Sequence, residues 1–317
     1  MVNFAVIMRE KGEFWFHIAA ILMVTVWGVS FINTKVLLDN GLTPTEIFVL
    51  RFGLAFAGLI VINRFRMPWC NLKDEALFLI CGLMGGTAYF ILENTALLMT
   101  LISDVAIIVS TAPVLTALLV IMVYKDERFN WVMGTGSVMA MVGVTVLTLR
   151  NGLAWGNSVQ GDLLALTAAF TWGVYCLALK KLNRVYGTLF ITEKTFFYGL
   201  LTALPLLLTE DSRIELATLS KTAVWANLLY LGLICSMAAF FIWGRTVKAI
   251  GAVRASNYIY LSPAISMAAA ALWNGENVGA LGYGGCVLIF TGMIVVEKAD
   301  RITTGISNND RPAKNNH

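Results

Sequence analysis

Apolar residues along this chain come in blocks of about twenty, each closed by a short polar or charged segment. Ten such blocks are legible: 16–38, 45–66, 75–98, 102–124, 130–149, 160–182, 190–209, 224–247, 252–272 and 280–297. A helix rises about 1.5 Å per residue, so about twenty residues cross a hydrocarbon layer about 30 Å thick. The pattern therefore predicts ten transmembrane helices. Blocks 4 and 9 hold Val, Ile and Tyr, which favour strands. Their length decides for helix, because backbone groups in lipid must be satisfied within the segment. Short connections make sequential helices antiparallel neighbours. The longest connection, "TEDSRIELATLSKTAVW", is acidic and polar and predicts a short surface helix.

The blocks repeat. "VWGVSFINTK" at 26–35 and "TWGVYCLALK" at 171–180 share Trp-Gly-Val and a final Lys, 145 residues apart. Later the offset is 149–150: Pro113 matches Pro263, Glu127 matches Glu276, Gly136 matches Gly285 and Gly143 matches Gly292. The drift fits one loop insertion. Each half holds five helices, an odd number, so the second copy enters the membrane in the opposite sense. That is the signature of an inverted-topology repeat, in which two halves form one unit around a pseudo-two-fold axis. The expected fold class is an all-α polytopic membrane protein with ten transmembrane helices as two inverted five-helix repeats. The expected division is a cytoplasmic N-terminal segment (1–15), a first repeat (16–149), a linker (150–159), a second repeat (160–297) and a cytoplasmic tail (298–317).

Composition agrees. Of 317 residues, 58% are hydrophobic and 13% charged, about half the charged share of a soluble protein. Of the 23 Lys and Arg, 17 fall in the segments on the side of the N-terminus and four on the other side. Arg51 and Lys194 remain inside apolar blocks. The positive-inside rule places both termini in the cytoplasm. The expected location is the cell membrane, the inner one in a Gram-negative cell. This placement explains the net charge of +4 without nucleic acid as a partner. No small-residue cleavage site follows the opening "MVNFAVIMREKGEF", so helix 1 is expected to be retained. Five scattered cysteines read as packing residues, and His17 and His317 sit at chain edges. No cofactor or metal is called for, and nothing resembles a nucleotide-binding loop.

Trp-Gly in helix 1, "PTEIFVLRF" opening helix 2 and "STAPVLTALLVIMVYKDERFNWVMGTGSVMAMVGV" closing the first half resemble the EamA domain. "YLSPAISMAAAALWNGENVGALGYGGCVLIFTGMIV" is similar to the same domain's ending. Over residues 16–297 the chain resembles the ten-helix drug/metabolite transporter superfamily. The resemblance implies a metabolite transporter, often an exporter of amino acids or related compounds, and leaves the substrate open. Helix 7 departs from helix 2 in lacking the Arg-Phe pair.

Several residues are candidates for the working parts. Pro113 and Pro263 fall near the centres of helices 4 and 9, either as mirrored hinges beside a midplane cavity or as prolines that neighbouring helices tolerate. Glu127 and Glu276 read as helix caps or as gate latches. Trp27 and Trp172 occupy mirrored mid-depth positions, packing on a partner helix or lining a cavity. Ser30, Tyr89, Tyr175, Ser236, Asn257 and Tyr260 add polar groups at similar depth, as substrate contacts or interhelical hydrogen bonds. Arg51 and Glu93 are the sharpest signal, because a charge in lipid is costly. They bind the two ends of a zwitterion, pair as an outer gate, or form a static ion pair or snorkel. Glu46 is expected to complete a capping box with Thr43, and Lys194 to snorkel to the inner face. The spaced glycines of helices 5 and 10 read as scaffold packing or a homodimer seam.

The reading is a secondary transporter of small metabolites, an exporter of amino acids or related zwitterions working by alternating access. Its partners are a small-molecule substrate and the bilayer. The alternatives are a carrier of phosphorylated or sugar-linked metabolites, and a membrane enzyme or channel. No nucleophile or acid–base cluster supports an enzyme.

Overall fold

The computed structural model describes residues 2–64, 66–100, 102–124, 131–149, 159–209, 216–265, 268 and 279–309. All regular structure among the described residues is helical. The long elements are α1 (Val2–Asp39), α2 (Pro44–Ile62), α3 (Leu72–Met99), α4 (Ile102–Val109 and Ala112–Val123), α5 (Trp131–Leu149), α6 (Val159–Leu182), α7 (Thr188–Thr209) and α8 (Thr222–Ile250). α9 follows as Ala252–Asn257, a 3-10 turn at Tyr258–Tyr260 and residues 261–265, and α10 is Gly279–Asn309. Seven of these runs are long and apolar enough to cross a membrane, and two shorter apolar helices lie within α5 and α10. With α9 they account for each of the ten blocks. The polar connection carries the short helix Leu216–Leu219.

The ends follow local chemistry. Thr43 Oγ1 accepts the Glu46 N–H at 3.1 Å, and Glu46 Oε2 accepts the Thr43 N–H at 2.9 Å, with Pro44 in the first turn. This is the expected capping box. Two helices run past their apolar blocks: α1 begins at Val2 and α10 continues to Asn309. The apolar pattern marks where lipid ends; a helix stops only where a breaker or cap intervenes.

Proline placement also differs in detail. α4 is interrupted at Ser110 and Thr111, and Pro113 stands in the first turn of its second piece. There its absent N–H leaves no bond unmade. Pro263 lies just after the 3-10 turn of α9. Both mirrored helices are thus discontinuous a few residues before the proline.

The repeat reappears in the packing. A Cβ on Gly136 would lie 2.8 Å from the Gly292 carbonyl oxygen, and one on Gly143 would lie 2.7 Å from that of Gly285. Rising numbers on α5 meet falling numbers on α10, so the two helices are antiparallel. The 149-residue offset turns the first contact into the second, as a two-fold axis requires. This glycine face is occupied by the partner helix of the same chain. Likewise α3 packs at Gly82 on Tyr198 and Gly199 of α7, while α8 packs at Gly232 on Leu54 and the Arg51 backbone of α2. π-helical turns fall at Leu83–Thr87 in α3 and Tyr230–Ala238 in α8. They are matched by Gly82/Gly232, Ala88/Ala238 and Phe90/Phe240, all 150 apart.

Candidate functional site

A small cavity of about 50 Å³ opens between α1, α3, α4, α6, α8 and α9. Its walls come in repeat-related pairs. Trp27 and Trp172 meet edge to face at 5.4 Å, and Phe90 and Phe240 lie 6.2 Å apart. Val109 and Ala112, beside the break in α4, match Ile259 and Ser262, beside the 3-10 turn of α9. A residue that touches its own mate lies on the axis relating them, so the cavity sits on the pseudo-two-fold axis. Its polar groups break that symmetry. Glu93 and Tyr89 line the wall, while the residues 150 further on are Trp243 and Ala239.

The polar contacts fix the lining. Tyr89 OH donates to Glu93 Oε1 at 2.6 Å, four residues along α3. The Trp27 indole N–H donates to the Cys235 carbonyl at 2.9 Å, within the π-helical stretch of α8 where the ordinary helical ladder is interrupted. Trp27 thus bonds to α8 and also lines the cavity. Ser30 Oγ donates to the Trp27 carbonyl at 2.7 Å. The Trp172 indole N–H is buried without a hydrogen-bond partner. Tryptophan, tyrosine and phenylalanine faces around a single carboxylate suit an organic cation, through ring quadrupoles and charge together.

Of the candidate residues, Trp27, Ser30, Tyr89, Glu93 and Trp172 line the cavity. Arg51 does not. It is 1% exposed, its Nε donates to Ser236 Oγ at 3.0 Å, and its guanidinium carbon lies 4.2 Å from the Phe90 ring centre. Among the described residues the ion pairs are Lys35–Asp39 and Lys194–Glu75, so Arg51 and Glu93 are not a direct pair. Ser236 supports Arg51 from α8. Tyr175 packs behind Trp172 at 5.2 Å, and Asn257 and Tyr260 are buried in α9 away from the lining. Pro113 and Pro263 each follow a lining residue directly, Ala112 and Ser262. Glu127 and Glu276 lie outside the described residues. His17 shares a 2.7 Å hydrogen bond with Tyr258.

Lys194 does not snorkel. It is fully buried, with Nζ 2.7 Å from Glu75 Oε1, and the Tyr198 hydroxyl and the Cys70 N–H also donate to Glu75. Segments 3 and 7 are far apart in sequence, so no periodicity announces this pair. Phe90 and Phe240 were within reach, because extending the repeat offset to helices 3 and 8 aligns them.

Comparison with known proteins follows the same lines. The EamA-like transporter family matches residues 14–149 and again 159–297. The probable terminal-alkyne amino-acid exporter of Streptantibioticus cattleyicolor is 29% identical over 89% of this chain and 94% of its own. The probable amino-acid metabolite efflux pump of Salmonella typhimurium is 26% identical over 87% of this chain and 92% of its own. One solved crystal structure superimposes with a TM-score of 0.68 at 20% identity, over 92% of this chain and 99% of that one. It shares the fold.

Proposed function

The chain belongs to the EamA-like transporter family, and from that premise we propose that it exports amino acids or related zwitterions by alternating access. At the coarser level it is a multi-pass membrane transporter of small molecules rather than an enzyme. The observation that carries the finer reading is the cavity on the pseudo-two-fold axis, walled by aromatic rings of α1, α3, α6 and α8, with Glu93 as the one charged side chain among the described residues that line it. In this reading the substrate ammonium sits against Glu93 among the rings of Trp27, Trp172 and Phe240. The Trp172 N–H and the Ser262 hydroxyl meet its polar groups.

The two repeats, 16–149 and 160–297, move as halves around this site. The discontinuities of α4 and α9 beside the cavity support bending there, where a broken helix costs least to reorient. Names given to relatives, an amino-acid exporter and an amino-acid metabolite efflux pump, support the substrate class. A phosphorylated cargo fits less well, since no Lys or Arg is among the described residues that line the cavity. Both termini face the cytoplasm in this reading, and reporter fusions at either end read that side directly.

Counterflow in proteoliposomes tests the function. Vesicles holding the purified chain and loaded with unlabelled amino acids should accumulate the labelled amino acid. Glu93→Gln should slow this by about tenfold or more, since a charge-assisted contact is removed. Absence of exchange for every amino acid tried would sink the proposal.

A further inference from the structure

Arg51 is a buried charged group outside the cavity lining. It is buried in the membrane-spanning part of α2, where a charge is expensive and ordinarily paired. Its partners are sparse: Ser236 Oγ takes Nε, the Phe90 ring covers the guanidinium, and Nη2 is buried without a partner. Glu93, the nearby carboxylate, is bonded instead to Tyr89. Phe90 and Glu93 are three residues apart on one face of α3, and both line the cavity. One wall thus carries an anion at the surface and a cation directly beneath a neighbouring ring.

At the matching positions of the other half neither charge recurs; the buried cation of α7, Lys194, is paired with Glu75 and does not line the cavity. Trp243 stands opposite Glu93, and the corresponding stretch of α7 holds Phe196, Phe197 and Tyr198. Two opposite charges placed in only one half of a pseudo-symmetric site suit a ligand that is itself polar end to end. A guanidinium presents paired N–H groups that match a carboxylate.

Resting on the exporter reading, we propose that Arg51 is the receptor for the substrate carboxylate, screened by Phe90 until a zwitterion with its ammonium on Glu93 displaces the ring. Phe90 is then the shutter of a carboxylate subsite. Its neighbours are other rings, Phe48 at 5.9 Å, Phe52 at 5.3 Å and Tyr89 at 4.9 Å, and an aromatic ring exchanges one such contact for another as it turns. Ser236 is a positioning residue that holds Nε and leaves the Nη edge for the ligand.

The test compares ligands that differ by the carboxylate alone. Binding of L-leucine against isoamylamine, and of L-phenylalanine against phenethylamine, is measured on the purified full-length protein in micelles. Wild type should bind each amino acid more tightly than its amine. Arg51→Gln should weaken the amino acids by about tenfold or more while the amines stay within about threefold, because a site built for a charged group loses that group alone. Arg51→Lys should recover part of the difference. If Arg51→Gln does not fold, Phe90→Trp provides a second arm: the bulkier shutter should lower amino-acid affinity and spare the amines. The inference is overturned if either variant weakens amino acid and amine alike, if neither changes the ratio, or if wild type does not distinguish the two. Wild type binding none of the four ligands would overturn the exporter reading, and this one with it.

Discussion

At the scale of single residues, the site depends on a few directed contacts inside an apolar wall. The Tyr89 hydroxyl holds the Glu93 carboxylate at 2.6 Å and so fixes where a substrate ammonium meets it. Tyr89→Phe should therefore slow counterflow by about five- to tenfold, roughly the net value of one ordinary hydrogen bond, and less than Glu93→Gln does. Trp27 makes a different kind of contact, since its N–H satisfies the Cys235 carbonyl inside the π-helical turn. Trp27→Phe leaves that buried carbonyl unpaired. It should cost about 1–2 kcal/mol, read as a lower melting temperature in micelles. Glu93 and the paired tryptophans stood out in the sequence because polar and amphipathic residues deep in an apolar block are conspicuous. Phe90 did not stand out by its chemistry, since one phenylalanine among many in lipid looks like another; only extending the repeat offset to Phe240 picks it out.

At the scale of elements, close approach and buried charge set the packing. A Cβ on Gly292 would lie 2.5 Å from both the Ala140 nitrogen and the Gly136 oxygen, whereas one on Gly53 would meet nothing within 4 Å. Gly292→Ala should thus push α10 off α5 at a cost of about 1–3 kcal/mol. Gly53→Ala should be neutral or stabilising by up to about 1 kcal/mol, through helix propensity. Thermal unfolding of the two variants side by side separates a contact glycine from an open one. The Lys194–Glu75 pair joins α7 to α3 in a place where both side chains are sealed off. Lys194→Met should destabilise by about 3–5 kcal/mol by stranding Glu75, and adding Glu75→Gln should restore part of the loss. The spans themselves were legible as blocks of twenty apolar residues. The interruptions in α4 and the π-helical turns in α3 and α8 were not, because they depend on which side chains meet the freed carbonyls.

At the scale of the whole molecule, the two repeats interlock rather than sit side by side. α5 packs on α10, α3 on α7, α8 on α2, and the cavity takes its walls from both halves. Expressed separately, residues 1–149 and 150–317 should each fail to support counterflow, and expressed together they should restore it. Transport by either half alone would contradict a single site on the axis.

A membrane-spanning helical chain built as a repeat was legible in the sequence alone, because lipid thickness, charge bias and a fixed offset are one-dimensional signals. Only the tertiary structure decided which charges meet. It left Arg51 and Glu93 without a direct ion pair, laid Arg51 against the Phe90 ring, joined Lys194 to Glu75, and packed the glycine face of α5 on α10. Partners of that kind are chosen by side-chain direction and helix rotation across segments distant in the chain, and periodicity carries no information about either.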